Sequence, residues 1–536
     1  HLNVTAWPCA PEWREEIPEV LDATRFGPCG TRSFTYGDIA FIEDNVSAVD
    51  PSFFTMFDFE LLQGDKNTVL LDPSSVVIDE ATSIKYFGQK NPIGEVLFVD
   101  TQFDLVVSGV FKNAPRNSSI EPKILVSVDF AKDLGKYDDN WGTNMIRTFV
   151  LLHENADPIE VNRKLTEIVS DHHGEPIPIK YLVAPLTGIH LHGYFGFNAG
   201  GEALARLYMF SIIAGFVLLI ACINFMNLST ARSANRAREI GIRKVVGAYR
   251  KNLILQFLGE SLLLTFLAVI LSLGLVYLLL PVFNSISGKW LSGSVLLQAD
   301  FIIGLIVITL ITALFAGSYP AFFLSAYKPI KVLKGNFSQG NSQTLRKGLV
   351  ILQFTLSITL IIATIIIQQQ LNYSQSKDLG FDKENVLSIN IDGDKKNSYE
   401  AFRQELQNSS LILGVTASSH RPTNIGSSAG GIDWDGKDPD QTLIVSVSAV
   451  DYDYLETMRI QMVAGRFFSR EYGADIATES GGGAFVINEE LARIIGQESA
   501  VNKTIRFLGV EAPIVGMMHD FHFKSIRNEI EPLAVF

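Results

Sequence analysis

The chain has 536 residues, 47% hydrophobic and only 19% charged, with a formal net charge of −13. A soluble domain carries about 25% charged residues, and the shortfall here is concentrated in four long apolar stretches, so a single soluble domain is excluded. Outside two short basic loops the balance is −24, which argues against nucleic-acid partners.

The first polar region, 1–204, reads as mixed α+β. Leu105–Phe111 has strand composition and Asp157–His172 has helical periodicity. Cys9 and Cys29 lie here and would pair in an oxidising space; the alternative is two free thiols. His172, His173, His190 and His192 sit in polar, loop-like sequence and read as solvated surface residues. The region opens at His1 without a start methionine or a signal peptide, so a preceding membrane segment is expected.

Residues 205–335 read as a three-helix membrane unit, with apolar spans at 207–227, 253–280 and 301–324. A fourth span, 349–371, follows a linker within 336–372. Each is long enough to cross a hydrocarbon core of about 30 Å at about 1.5 Å per residue. Cys222 in the first span reads as a small packing residue. Glu260, two turns inside the second, reads as a packing or interfacial group rather than a proton relay.

The loop 228–252 holds seven basic residues against one acid, and the loop 325–347 holds five basic residues and no acid. Short basic loops stay in the cytoplasm. Both large polar regions are then extracytoplasmic, and four crossings satisfy this without conflict.

The second polar region, 373–536, repeats the first. Val46–Asp50 recurs as Val447–Asp451, and Leu62–Asp65 as Val463–Arg466. Val77–Glu80 parallels Val486–Glu489, Ile93–Leu97 parallels Val501–Ile505, and Val107–Phe111 parallels Ile514–Met518. Glu121-Pro122 parallels Glu531-Pro532, so the offset drifts only from 401 to 410 residues. Ordered matches at a nearly constant offset indicate a duplicated domain. Within this copy Tyr399–Gln407 has helical periodicity and Leu443–Val450 has strand composition, whereas Gly426–Gly431 and Gly481–Gly483 read as exposed loops. By symmetry an intact protein would have eight crossings, with one helix before the first domain and three after the second.

Convincing catalytic patterns are missing from the sequence: it has no G-x-x-x-x-G-K-[ST] and no H-E-x-x-H. His519-Asp-Phe-His522 has an H-x-x-H look, but two interleaved histidines fall short of a metal ligand set. The informative stretch is Ser229–Ala248. Arg232, Arg236, Glu239 and Arg243 recur at spacings of four, three and four, a charged helical stripe. Ile240, Ile242, Val245 and Val246 supply apolar bulk, and Gly241 and Gly247 permit close approach or a sharp bend. A basic stop-transfer loop would explain the charge alone; a protein-docking helix also explains Glu239 and the ordered glycines.

At Glu239–Ala248, Phe315–Ser325, Lys328–Gly335 and the Arg346-Lys347/Gln353-Phe354 pair, the chain resembles the MacB-like/FtsX-like permeases of ABC transporters, in a double-length form. The resemblance implies a helical membrane protein with two duplicated α+β periplasmic core domains, in the bacterial inner membrane. It implies no enzymatic activity or cofactor of its own. ATP would be bound and hydrolysed by a separate ABC ATPase subunit at the cytoplasmic face. Arg236, Glu239, Ile240, Gly241, Arg243, Lys244, Gly247 and Ala248 would contact that subunit. Membrane lipid is the other implied partner, and a periplasmic adaptor or outer-membrane component is left open. The implied function is mechanotransmission for export of peptide, drug or lipid-like cargo. The alternative is an FtsX-like regulator of a periplasmic cell-wall hydrolase that transports nothing.

Overall fold

The computed structural model describes residues 3–115, 117–173, 179–193, 202–231, 240–289, 291–325, 340–391, 399–438, 441–475, 483–496 and 500–536. Its contacts divide the chain into two units, His1–Ile366 and Ile367–Phe536.

The first unit begins with a ten-stranded mixed sheet: β1 (Val20–Pro28), β2 (Arg32–Tyr36), β3 (Ile39–Glu43), β4 (Val46–Val49), β5 (Leu61–Gln63), β6 (Ser75–Asp79), β7 (Val96–Val99), β8 (Phe103–Phe111), β9 (Ile124–Ser127) and β10 (Arg147–Leu152). The spatial order is β10-β1-β4-β9-β6-β8-β7-β2-β3, with β5 also on β8. The central strands β4, β6 and β9 are buried along their whole length, as small and β-branched runs covered on both faces must be. One face packs Val46, Val76, Ile78, Leu97 and Leu105, and the other packs Val49, Phe53, Val77 and Phe111. A third cluster lies under the helix Cys9–Glu16 and the helix Pro158–His173. Cys9 and Cys29 are free and buried in different clusters. Burial pushes their thiols up to about 12 and about 11 respectively. The free-thiol alternative is therefore the one the fold adopts.

The second unit carries β11 (Ser428–Ala429), β12 (Asp433–Trp434), β13 (Val445–Ser448), β14 (Met462–Gly465), β15 (Phe485–Asn488), β16 (Thr504–Phe507), β17 (Val510–Met518) and β18 (Leu533–Val535). Its order is β11-β13-β18-β15-β17-β16-β12, with β14 on β17. This is the first sheet without its two outer strands, and the match holds residue by residue. Val46 faces Ile124 across a parallel pair, and Val447 faces Ala534 across the equivalent one. Val77 faces Gly109 just after a register shift, and Val486 faces Gly516 just after the same shift. Leu61 and Gln63 bulge against Phe111 and Val110 as Met462 and Ala464 do against Met518 and Met517. The sequence repeat is a structural repeat down to its bulges.

Two readings need correction. Ser428–Ala429, inside the expected loop Gly426–Gly431, pairs with β13. His172 is not in a loop: it lies in the last turn of the helix Pro158–His173, its Nδ1 donates to Ile168 O (2.9 Å), and its ring stacks on Trp141 with ring centroids 4.0 Å apart. His190 and His192 likewise lie in a short helix, Ile189–His192.

Among the described residues, four helices are long and apolar enough to span a membrane: Glu202–Ala231, Arg250–Ser287, Ala299–Ser325 and Gly340–Ser376. Their outward side chains, Leu271 and Leu278 among them, stay exposed, which costs nothing where the solvent is hydrocarbon. The second helix packs along the third, and the third also touches the first. At the second–third crossing a Cβ on Gly317 would lie 2.7 Å from Ser261 Oγ, a small-residue contact that lets two membrane helices approach.

The duplicated glycine at the end of β5 and of β14, where these strands cross β8 and β17, gives a stability test. Gly64 and Gly465 both have positive φ (98° and 73°); a Cβ would reach Ser108 O at 2.8 Å in one copy and collide with Val515 O in the other. Gly465→Ala is expected to cost about 2–4 kcal/mol, combining left-handed strain with displaced strand backbone. Gly436→Ala, at φ 91° with open space around it, is expected to cost only about 1 kcal/mol. Urea unfolding of the purified protein followed by tryptophan fluorescence separates the two.

Candidate functional site

The basic stretch after the first membrane helix contains a short helical segment, residues 240–245. Its end is set by Gly247. Gly247 N donates to Lys244 O (3.2 Å) and Ala248 N donates to Arg243 O (2.9 Å), with Gly247 at φ 101°. This pair of bonds around a left-handed residue is a Schellman closure. It reverses the chain within two residues, and the second membrane helix starts at Arg250.

One side of the segment is fastened inward. Ile240 is 2% exposed and packs with Leu253 and Phe257 of the second membrane helix and Ala321 of the third. Gly241 is buried beside it. Lys244 Nζ donates to Ser325 O (2.5 Å), and Arg250 Nε donates to Ser325 Oγ (3.3 Å). Ser325 is the last residue of the third membrane helix, so two cations meet the carbonyl-rich, partially negative end of that helix. Burial, with Arg250 close by, holds the Lys244 ammonium below the usual lysine range. Arg243 Nη1 donates to Gln256 Oε1 (2.9 Å) on the second helix. The other side is apolar and open: Ile242 is 56% exposed, Val245 64% and Val246 82%, followed by Tyr249 at 77%.

Of the residues expected to contact a partner, Arg236 and Glu239 lie outside the described residues, as do Arg232 and Arg238. Gly247 and Ala248 form the turn, and Arg243 and Lys244 grip the membrane helices. The apolar bulk divides: Ile240 faces inward with Gly241, whereas Ile242, Val245 and Val246 face out. Sequence reasoning missed Ser325, Ala321 and Gln256. The only signal for them was that Ala321 and Ser325 fall within the Phe315–Ser325 motif, whose link to Lys244 is long-range.

The remaining histidine motif resolves as local structure. His519 Nδ1 lies 3.0 Å from Glu489 Oε2, and His522 N donates to Leu379 O (2.7 Å). Among the described residues no group of three or more His, Cys, Asp or Glu converges as a metal site. Glu260 is half-buried on the second membrane helix.

Comparison with known proteins bears on both halves of the chain. The MacB-like periplasmic core domain model matches residues 5–168 and 348–530, and the FtsX-like permease C-terminal model matches 211–329. The chain is 28% identical over 265 residues to the macrolide export ATP-binding/permease protein MacB of Bdellovibrio bacteriovorus, covering 48% of this chain and 38% of that one. It is 27% identical over 263 residues to the uncharacterized ABC transporter permease YknZ of Bacillus subtilis, covering 48% of this chain and 61% of that one. The match thus spans about two-fifths to three-fifths of these relatives' lengths. The crystal structure of the periplasmic region of MacB from Actinobacillus actinomycetemcomitans aligns with 33% of this chain and 78% of its own, at 16% identity and a TM-score of 0.27, too low to bear on the fold.

The division of the segment into an inner and an outer side is testable by labelling. Val246→Cys is expected to react with a membrane-impermeant maleimide at least tenfold faster than Ile240→Cys, in inside-out vesicles and not in right-side-out ones, with the parent chain's buried thiols giving the background. Equal rates for the two positions would contradict the inward packing of Ile240.

Proposed function

The chain belongs to the MacB-like periplasmic core domain family with an FtsX-like permease segment, an inner-membrane protein with large periplasmic domains, and we propose that it is the permease of an ABC transporter whose ATPase is a separate subunit. The observation that carries this reading is the two-sided segment at 240–246. An exposed apolar patch on a charged cytoplasmic stretch is a protein-docking surface. Here the patch is fixed to the ends of two membrane helices through Ile240 and the Lys244–Ser325 bond, so a partner that grips it moves those helices.

The ATPase would seat Ile242, Val245 and Val246 in an apolar groove, with Arg236 and Glu239 as further contacts, while Arg243 and Lys244 hold the segment to the membrane helices. Closure of the ATPase on ATP would shift the segment as a body. The helices then act as struts. The second has 38 residues and the fourth 37, about 55 Å each at about 1.5 Å per residue, against a hydrocarbon core of about 30 Å. Both therefore reach past the hydrocarbon, the second by seven residues on the extracytoplasmic side, where it would deliver displacement. The four apolar stretches contain one Asp, Glu, Lys, Arg or His residue, Glu260, which favours force transmission over a hydrophilic conduit. The cargo class that fits is a peptide, drug or lipid-like molecule handled at the outer face, in keeping with the export named for the MacB relatives. An extracytoplasmic adaptor or outer-membrane component would complete such a path.

Two substitutions separate docking from transmission. Val246→Asp places a charge in the proposed groove and should reduce co-purification of the ATPase at least tenfold while leaving membrane insertion intact. Gly317→Leu, which forces the second and third helices apart, should keep the ATPase bound but abolish the effect of the permease on its turnover. Retention of the ATPase by both Val246→Asp and Ile242→Asp would refute the docking assignment.

A further inference from the structure

The fourth membrane helix ends at Ser376, and the segment that follows it curls into a hollow of about 660 Å³ in the second unit. Gln375, Lys377, Asp378, Arg459, His519 and Asp520 are among its lining residues. The curl is stitched to the domain by backbone bonds. Leu379 O accepts from His522 N (2.7 Å) and Asp382 N donates to Met458 O (2.9 Å). Lys383 Nζ donates to Gln375 O (3.1 Å), closing the arc on itself. The hollow is a built feature of the fold, of a size suited to a small ligand.

Its depth and charge specify the ligand. The apolar run of the fourth helix ends at Leu371, four residues before Gln375, a rise of about 6 Å. Headgroup layers add about 5–7 Å on each side of the hydrocarbon, so the mouth of the hollow lies at headgroup level. The helix leading to it has none of its apolar window buried in protein, so lipid has access along its length. The walls carry both signs. Arg459 is paired with Asp382 (2.8 Å), and Asp378 accepts from Gly380 N (2.9 Å). Asp520 Oδ1 accepts from Asn488 Nδ2 (2.8 Å) and Glu490 N (3.2 Å). Lys377 makes no ion pair with a carboxylate among the described residues, and it faces the hollow together with Asp520. A purely anionic head would meet Asp378, Asp382 and Asp520, and a purely cationic one would meet Lys377 and Arg459. A head bearing a phosphate and a primary ammonium a few ångströms apart satisfies both.

From this we propose that the hollow binds the headgroup of a zwitterionic aminophospholipid of the outer leaflet, the phosphate on Lys377 and the ammonium toward Asp520, so that the lipid anchors the second core domain at the membrane surface. The assignment rests on the extracytoplasmic placement of this domain and not on ATPase docking, so either can fail alone.

The full chain is reconstituted into nanodiscs containing a photoactivatable phosphatidylethanolamine, and cross-linked peptides are mapped by mass spectrometry. Cross-links are expected within residues 375–384 and 459–461. Their yield should fall at least fivefold in Lys377→Glu and in Gln461→Trp, which fills the hollow from an exposed position. Lys347→Glu, the same charge change near the opposite end of the helix, should leave the yield unchanged. Native-like circular dichroism and gel filtration confirm that the variants are folded. Equal labelling in parallel nanodiscs that carry a photoactivatable phosphatidylcholine instead overturns the aminophospholipid assignment. So does an unchanged yield in both hollow variants, or full competition by soluble glycerophosphoethanolamine, which would make the ligand a free headgroup.

Discussion

A hydrocarbon slab about 30 Å thick tolerates no unpaired backbone amide, so a chain that crosses it does so as helix. In this chain that constraint fixes how anything on one side can be felt on the other. Displacement has to travel along helix axes, and the only places to apply it are the helix ends. At the cytoplasmic end the chain invests its polar chemistry in one such place. Ser325 offers the terminal carbonyl of the third membrane helix and its own hydroxyl, and Lys244 and Arg250 take one each. With Ile240 wedged between Leu253, Phe257 and Ala321, a segment of a few residues joins two membrane helices that are otherwise held by small-residue packing. A single isolated turn of helix would be marginal in water; this one persists because tertiary contacts on one side and the Gly247 closure at its end hold it.

The external halves follow a different logic. Duplication has conserved pairing registers, bulges and the glycine crossing while letting side chains drift in pairs. In the first copy Asp79 caps its helix by accepting from Thr82 N, and Asn113 accepts from Ala81 N. In the second copy Asn488 is the cap and Asp520 accepts from Glu490 N. Carboxylate and amide have changed places. In each copy the two helix-start amides keep an oxygen acceptor, and the second copy has one more carboxylate in the first turn, Glu490 beside Glu489, where the first has Glu80 alone. The exchange also lets Asn488 Nδ2 bond directly to Asp520. Burial raises the Asp520 carboxyl above the usual range, which the first copy, with an amide at that position, avoids.

What was legible in the sequence follows from what is local. Membrane spans need only a run of apolar residues, and the repeat needs only an ordered offset, so both were readable, and the repeat's alignment carried the strand registers with it. Gly247 was readable as a bend because glycine alone accepts a left-handed helix end without strain. Contacts between distant segments were not readable. Nothing in the spacing of Arg243, Lys244 and Gly247 indicates that Lys244 reaches a carbonyl 81 residues away, or that Ile240 and Ile242, two positions apart on a 3.6-residue period, face opposite environments until a neighbour covers one of them. The strand Ser428–Ala429 was hidden for a related reason: a Ser-Gly-rich stretch has no strand propensity of its own, and it pairs only because β13 presents an open edge.

The two ends of the membrane layer are therefore built for different tasks, and the asymmetry is one of length as well as charge. On the cytoplasmic side the second helix begins within three residues of Gly247, so there is little slack between the proposed docking surface and that helix. On the outer side the same helix runs on to Ser287, seven residues past its apolar stretch. A small rotation imposed at a short, stiff base becomes a larger translation at the far end of a long strut, whereas the reverse arrangement would dissipate motion in the cytoplasmic linkers. Were the proposed partner to act at that end, a helix tight where force enters and long where it leaves would carry displacement outward. That is the direction required if energy is released inside the cell and used outside the membrane.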